Sequence, residues 1–174
     1  MFTKSAENVD GGDERCRGCG LAVAGGDSGC QAIMDGLLAR DFSDALYFRV
    51  HRLFVDVYSL QHPDRYCVSF KSLAAHLAGL CWSLEHNGSR AVPSEPIRRW
   101  LERHAHEPKP PLPVARGALT VGHARGAADP VAYGRAVDEW ARSTWAAYAP
   151  LHSLAREWVR RALAEPARDR RTRN

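Results

Sequence analysis

FSDALYFRVHRLFVDVYSLQHP, residues 42–63, has an apolar residue at every third or fourth position. This interval places the apolar side chains on one face of an α-helix, and the positions concerned are Leu46, Val50, Leu53, Val57 and Leu60. Pro63 closes the pattern, because a proline ring cannot continue helical hydrogen bonding. The segment therefore predicts an amphipathic helix of about four to five turns.

A second helix is predicted for SFKSLAAHLAGLCWSLEHNG, residues 69–88. Its apolar stripe consists of Phe70, Leu73, Leu77, Leu80 and Leu84. Either Ser69 or Ser72 can cap the N-terminal end, since a serine hydroxyl accepts hydrogen bonds from free backbone amides. The pair Asn87-Gly88 is a stop signal at the other end.

The C-terminal half predicts a proline-rich crossover followed by a long helix. Residues 93–113 contain six prolines around a short helical piece, and the proline run that follows it should be extended. The last helix has Asp129 as N-cap and Pro130 at its first position, and Pro150 should kink or split it. Because no segment alternates as a strand does, the sequence predicts an all-α fold, a bundle of four to five helices.

Length and composition favour one folded unit. A chain of 174 residues can bury a core without disulfides, and we expect a single helical domain over residues 14–165. The flanking residues, 1–13 and 166–174, are polar and are expected to be disordered. No apolar leader is evident and no apolar run approaches the roughly 20 residues of a membrane span. The sequence therefore predicts a cytoplasmic protein without a membrane partner.

The charge is modestly positive, +4 at neutral pH, and much of the excess lies in the last residues. Arginine far outnumbers lysine and alanine is abundant, which we interpret as the coding bias of a GC-rich bacterial genome. A basic tail can bind nucleic acid, but no aromatic residue alternates with the arginines of residues 168–173. Nucleic acid therefore ranks last among the partners that we consider.

The clearest chemical signal is ERCRGCGLAVAGGDSGC, residues 14–30, which holds three of the five cysteines. Cys16 and Cys19 form a C-x2-C pair followed by a glycine, a spacing that directs two thiolates at one cation. Cys30 can close back across the glycine-rich segment as a third ligand. In a reducing compartment such clustering favours a metal over disulfides, and a dithiol redox pair would need a βαβ setting that is not visible. We predict a Zn²⁺ knuckle over residues 16–30.

Zinc prefers four ligands, so one more side chain is needed. Cys67 and Cys81 are candidates, but Cys81 lies beside an apolar stripe, where a free cysteine behaves as a small hydrophobe. Histidine is preferred, with His51 and His152 leading, and we predict His51 because the cysteine loop runs directly into its helix.

Other polar groups near apolar helix faces are candidates for catalysis. His51 and His62 share a helix face but lie roughly 16 Å apart along the axis, so they cannot bind the same ion. We expect His152 or His62 to transfer protons, oriented by Asp56. Each histidine taken alone has the alternative of a partly buried side chain satisfied by hydrogen bonds.

Four motifs together carry a family likeness: CRGCG at residues 16–20, VHRLFVDVYSLQHP at 50–63, SLAAHLAGLCWSLE at 72–85, and WAAYAPLHSLAREW at 145–158. The combination resembles an uncharacterised bacterial family, catalogued only as a domain of unknown function, with a CxxCG knuckle and a VHxLxVDxYxLQHP helix motif. The resemblance covers most of the chain. It implies that the polar residues of these motifs form one group, His51, Asp56, His62, His76 and His152, and it implies no reaction.

The sequence thus predicts a small zinc-binding bacterial protein with two functional interpretations. The first is a metal-dependent enzyme that acts on a small molecule in a polar cleft between helices. The alternative is a closed zinc knuckle that fastens the N-terminal loop to the bundle of a non-catalytic interaction or regulatory module. The coordination number distinguishes them, because a catalytic zinc keeps one position open and a structural zinc has four protein ligands.

Overall fold

The computed structural model describes residues 14–86 and 92–166, and these ranges contain helices and loops, with a single isolated bridge between Arg15 and Ala22. The helices are α1 (Gly26–Ser43), α2 (Ala45–Phe48), α3 (His51–Gln61), α4 (Pro63–Tyr66), α5 (Phe70–Glu85), α6 (Ser94–Arg103), α7 (Val121–Arg125), α8 (Pro130–Ala147) and α9 (His152–Ala164). The predicted all-α fold is confirmed. None of the described helices combines the length and the apolar character that a membrane crossing requires.

Some predictions concern residues outside the described ranges. These are the disordered N-terminus at residues 1–13, the stop signal at residues 87–88, and nearly all of the basic tail at residues 166–174. Within the described part, α9 ends at Ala164 and Glu165 is extended, as expected for the residue before a proline.

The predicted helix over residues 42–63 is divided into shorter pieces. Asp44 is extended between α1 and α2, and its carboxylate accepts a hydrogen bond from the Leu46 amide at 2.8 Å. This capping geometry starts a new helix instead of continuing the preceding one. Leu46, expected on the apolar stripe, is consequently 49% exposed.

The first helix of the structure, α1, begins inside the segment that was interpreted as a knuckle loop. It follows Gly25, whose φ of +77° suits a glycine at a helix entry. Its buried side chains are spaced as on one helix face, at Cys30, Met34, Leu37 and Asp41. Two of the four are not aliphatic or aromatic residues, which is why the pattern did not stand out in the sequence.

The C-terminal helices start and divide as predicted. Ser69 caps α5, where its hydroxyl accepts from the Ser72 amide at 3.1 Å. Asp129 caps α8 and accepts from the amides of the second and third residues of the helix. A 3₁₀ turn that contains Pro150 separates α8 from α9. These local signals determine helix ends independently of the tertiary fold.

Helix α3 lies at the centre of the bundle and packs against α5 on one side and α8 on the other, while α5 also packs against α9. Aromatic side chains fill the interfaces: Phe54 of α3 meets Trp140 of α8 edge-on with ring centroids 5.8 Å apart. Phe70 of α5 meets Trp158 of α9 in the same way at 5.3 Å. Such edge-to-face pairs stabilise helix contacts beyond the burial of their area.

The crossover between α6 and α8 is fastened to the end of α3 by Gln61, which is fully buried. The Gln61 amide nitrogen donates to the carbonyl oxygens of Arg116 at 2.8 Å and Leu119 at 2.7 Å. Its amide oxygen accepts from the indole nitrogen of Trp140 at 2.9 Å. One side chain thereby joins α3, the crossover and α8, and it fixes the C-terminal end of α3.

Candidate metal centre

The two cysteines of the C-x2-C pair lie in a tight turn at the start of the described chain. The Gly20 amide donates to the Cys16 carbonyl at 2.8 Å, and the Cys16 amide donates to the Leu21 carbonyl at 2.9 Å. Gly20 has a φ of +79°, a conformation that side chains with a Cβ rarely adopt. The turn brings the sulfurs of Cys16 and Cys19, both buried, into one cluster.

Cys30 joins this cluster from the second turn of α1. Its sulfur lies 3.7 Å from the sulfur of Cys19, too far for a disulfide, whose S–S bond is about 2.05 Å.

Asp27, in the first turn of α1, fastens the knuckle to this helix. Its carboxylate accepts hydrogen bonds from the backbone amide and the Nε of Arg17, each at 2.7 Å.

The fourth side chain is His62, the residue that follows α3. Its Nε2 lies 3.4 Å from the Cys16 sulfur and 3.5 Å from the Cys30 sulfur. Its Nδ1 lies 2.7 Å from the carbonyl oxygen of Tyr58, one turn earlier. Because a carbonyl only accepts, Nδ1 carries the proton and Nε2 presents a lone pair to the sulfurs. This is the arrangement of a metal-binding histidine with its other nitrogen hydrogen-bonded.

Four ligand atoms therefore lie within 4.8 Å of one another and form what we call the Cys3His cluster: Cys16, Cys19, Cys30 and His62. Tetrahedral zinc with Zn–S bonds of about 2.3 Å and a Zn–N bond of about 2.0 Å separates two sulfurs by about 3.8 Å and a sulfur from a nitrogen by about 3.5 Å. The observed separations of 3.7, 3.4 and 3.5 Å match these values. The cluster could therefore hold a metal ion.

Burial affects the protonation of the sulfurs in the cluster. Burial raises the pKa of Cys16, and the neighbouring Cys19 sulfur together with burial raises the pKa of Cys30 to about 12. Without a cation these two thiols stay neutral at physiological pH. A divalent cation among the sulfurs reverses this preference, because it stabilises the thiolate form that binds metal.

Gly18 allows His62 to reach the cluster. A Cβ built on Gly18 would overlap the His62 ring, so any larger residue at this position displaces the imidazole. Tyr58 also contacts the ring and stacks on it with centroids 4.0 Å apart. The histidine is thus held by the knuckle backbone and a core aromatic side chain.

The structure brings His62, and not His51, to the three cysteines. Helix α1 has 18 residues and leads the chain about 27 Å away from the knuckle, and α3 returns. His51 begins α3 at the far end, where its Nδ1 lies 3.3 Å from the buried Asp41 carboxylate. Its ring stacks on Phe48 with centroids 4.8 Å apart.

The residues expected to act in catalysis lie in separate environments. Asp56 is buried on α3 and accepts from Arg52 at 2.7 Å and His76 at 2.9 Å. His152 stacks on Trp145 with centroids 3.8 Å apart, and its Nε2 donates to the Trp145 carbonyl at 2.8 Å. Each of these groups has its own hydrogen-bond partners, and the catalytic roles of Asp56, His62 and His152 stay predictions.

A cavity of about 550 Å³ adjoins the Cys3His cluster. Cys16, Gly18 and His62 form one wall, and side chains of α1, α3 and α4 form the rest, among them Gln31, Tyr58, Arg65 and Tyr66. Burial raises the pKa of Tyr58, so its hydroxyl keeps its proton and acts as a hydrogen-bond donor. The cavity is open to solvent beside the metal ligands.

Comparison with known proteins identifies a family that covers most of the chain. A family model described as a family of unknown function, DUF5946, matches residues 14–149, which include the whole Cys3His cluster. No curated protein and no solved structure gives a significant match to the chain.

Proposed function

The chain belongs to the DUF5946 family of unknown function, and we propose that it binds one Zn²⁺ through the Cys3His cluster as a structural centre. On this proposal the zinc holds together a small helical protein that acts as a non-catalytic interaction or regulatory module. The observation that carries the proposal is the convergence of four protein ligand atoms within 4.8 Å of one another. Four protein ligands complete the coordination of zinc and leave no position for water or substrate.

The position of the cluster explains what a structural zinc would stabilise. The ligands come from three parts of the chain: the knuckle provides Cys16 and Cys19, α1 provides Cys30, and the end of α3 provides His62. Leu21 and Val23 of the knuckle also pack against the core, so the zinc would add to these apolar contacts. Because metal ligands rarely assemble in an unfolded chain, the free energy of metal binding adds to the stability of the folded state.

The interaction part of the proposal is supported by a surface at the other end of α1. Phe42 is 70% exposed and Phe48 is 46% exposed, and their rings contact each other with centroids 5.6 Å apart. Contiguous exposed apolar side chains are unusual on soluble monomers and commonly mark binding surfaces. The zinc at one end of α1 would then hold a helix whose other end carries this surface.

The second candidate is a metal-dependent enzyme, and the cavity beside Cys16 and His62 favours it. For zinc to activate a water or polarise an oxygen, one coordination position must open. His62 is the ligand that borders the cavity and is only partly buried. An enzyme of this kind would bind zinc through three cysteines and replace the imidazole by water or substrate.

Metal analysis combined with thermal unfolding tests the proposal. Purified protein should contain about one zinc per chain. Cys16→Ser should lose the zinc and melt at a lower temperature. Cys81→Ala is the matched control, because Cys81 is equally buried but lies on α5 outside the cluster; it should keep the zinc. Metal-free protein with five freely titrating thiols would refute zinc binding, and loss of zinc with unchanged melting would refute the structural role.

The proposed zinc site also implies that the protein works in a reducing cellular compartment. Thiols must stay reduced to bind zinc, and reducing conditions prevail in the cytoplasm. We therefore propose a cytoplasmic protein, and the arginine- and alanine-rich composition supports a bacterial source.

A further inference from the structure

Three hydrogen-bond donors converge on one atom in the cavity beside the Cys3His cluster. The atom is the amide oxygen of Gln31, on α1. The Tyr66 hydroxyl lies 2.8 Å from it, the Arg65 guanidinium 2.9 Å and the Tyr58 hydroxyl 3.3 Å. We call Tyr58, Arg65 and Tyr66 the donor corner.

The donor corner provides more hydrogen-bond donors than one neutral amide oxygen can accept. An amide oxygen has two lone pairs and no net charge, so three donors exceed its capacity. An oxyanion offers more lone pairs, and hydrogen bonds from a guanidinium to a charged acceptor are about twice as strong as those to a neutral one. Gln31 is partly exposed, and its amide nitrogen donates to Asp35 on the same helix at 2.7 Å. Because the residue is partly exposed, its side chain has room to rotate toward solvent when an anion replaces its amide oxygen.

Of the two arginines that line the cavity, Arg65 is the one that pairs with no carboxylate among the described residues. Arg17, which also lines the cavity, pairs with Asp27, to which its Nε donates at 2.7 Å. Arg65 lies over the Tyr66 ring, 5.3 Å from its centroid, and its hydrogen bond goes to the neutral Gln31. Asp64 also lines the cavity and opposes an anion there, which gives an independent electrostatic test.

We propose that the donor corner binds the oxyanion of a small molecule, a carboxylate or a phosphate, and that the Gln31 amide oxygen occupies the anion position when the ligand is absent. The cavity volume of about 550 Å³ lies within the range of about 300–1,000 Å³ usual for small-molecule sites. The proposal rests on the proposed zinc centre, because Cys16 and His62 form one wall of the cavity.

Nuclear magnetic resonance titration of the ¹⁵N-labelled, zinc-loaded protein tests the site. One sample is titrated with sodium acetate and another with sodium phosphate, each at constant ionic strength kept with sodium chloride. Saturable shifts should appear in the Gln31 side-chain amide, the Arg65 Nε–H and the backbone amides of residues 65–66. The salt that saturates these shifts at lower concentration identifies the preferred oxyanion.

Variants separate a ligand site from a structural hydrogen-bond group. Gln31→Ala should bind the preferred anion about threefold to tenfold more tightly, because the internal competitor is gone. Arg65→Gln should weaken binding by about tenfold or more, and Asp64→Asn should strengthen it. Arg98→Gln is the matched control, since Arg98 is an exposed arginine of α6 paired with Glu95 and Glu102; it should leave binding unchanged.

Shifts that do not saturate with either salt would overturn the proposal. So would a Gln31→Ala variant that binds with equal or lower affinity and melts at a lower temperature, because Gln31 would then be only a link between α1 and α4. Zinc content is measured in every sample. A zinc-loaded protein that binds neither anion refutes the ligand site alone, whereas a protein without zinc refutes the proposed function.

Discussion

The imidazole Nδ1 of His62 lies 2.7 Å from the carbonyl oxygen of Tyr58, one helical turn earlier in the chain. The same carbonyl also accepts the backbone amide of His62 at 3.1 Å, at the C-terminal end of α3. The imidazole hydrogen bond fixes the tautomer, so that the unprotonated Nε2 faces the sulfurs of Cys16 and Cys30. The end of the helix and the geometry of a metal ligand thus involve the same carbonyl.

Replacing His51 and His62 one at a time should show which of the two histidines binds the zinc. His62→Ala should lower zinc affinity strongly and release most of the metal to a chelator, because one of four ligands is lost. His51→Ala should keep its zinc, since His51 bonds to Asp41 at the far end of α1. Zinc content after dialysis against a chelator measures both. Retention by His62→Ala with loss by His51→Ala would reverse the assignment.

Gly18→Ala should disrupt the metal centre although it replaces none of the four ligand residues. The added Cβ would overlap the His62 ring, and the imidazole must move away from the sulfurs. We expect weaker zinc binding and a lower melting temperature, measured by chelator competition and calorimetry.

The control for Gly18→Ala is Gly36→Ala. A Cβ on Gly36 meets nothing within 4 Å, and this residue lies in the interior of α1. Replacing it should leave zinc binding unchanged and stabilise the helix by about 0.5–1 kcal/mol. Equal behaviour of the two variants would show that the contact of Gly18 with His62 is unimportant.

Local signals in the sequence were sufficient for part of the fold. Ser69 and Asp129 cap helices through their own side chains, and Pro150 interrupts a helix through its own ring. The periodic stripe of α5 is buried as predicted at Phe70, Leu73, Leu77 and Leu80. Such features depend on residues a few positions apart, and so a sequence displays them directly.

The identity of the histidine in the cluster depends on information that is not local. Spacing alone grouped the three cysteines, but the histidine is chosen by the length and direction of α1. That helix was hidden by its glycines and by Cys30 and Asp41 on its buried face. With a loop in place of α1, His51 would be expected near the knuckle. The 18-residue helix instead leads the chain away from the knuckle to His51, and α3 then returns the chain so that His62 lies beside the cysteines.

Gln61→Leu should destabilise the bundle more than a surface substitution does. The change removes three hydrogen bonds and leaves the Trp140 indole and the carbonyls of Arg116 and Leu119 without their partner. A buried group left unpaired costs about 1–3 kcal/mol, so we expect a loss of about 2–4 kcal/mol. Urea unfolding measures it. A loss below about 0.5 kcal/mol, typical of surface sites, would contradict the role of Gln61.

The ion pair between Glu85 of α5 and Arg156 of α9 should make stability depend on pH. Arg156, whose Nε lies 2.7 Å from the Glu85 carboxylate, holds the pKa of that carboxyl below its usual range. A carboxyl with a lowered folded pKa stabilises the fold above its unfolded pKa, and the contribution is lost as pH falls through the folded value. Glu85→Gln should therefore lower the melting temperature at pH 7 and have little effect near pH 2.

The control for this pair is Glu157→Gln. Glu157 pairs with Arg160 one turn along α9, where both side chains are exposed, and such surface pairs contribute little. A pH-independent effect of Glu85→Gln would show that the link between α5 and α9 is not electrostatic. An equal effect of both variants would show that this pair contributes no more than a surface pair.

X-ray absorption at the zinc edge of the purified protein tests the central claim most directly. The Cys3His cluster predicts three sulfur neighbours at about 2.3 Å and one nitrogen at about 2.0 Å, with no further oxygen. The same spectrum of His62→Ala should lose the histidine nitrogen, while that of His51→Ala should be unchanged. A zinc with two or fewer sulfur neighbours, or with an oxygen in place of the imidazole nitrogen, would contradict a closed structural centre.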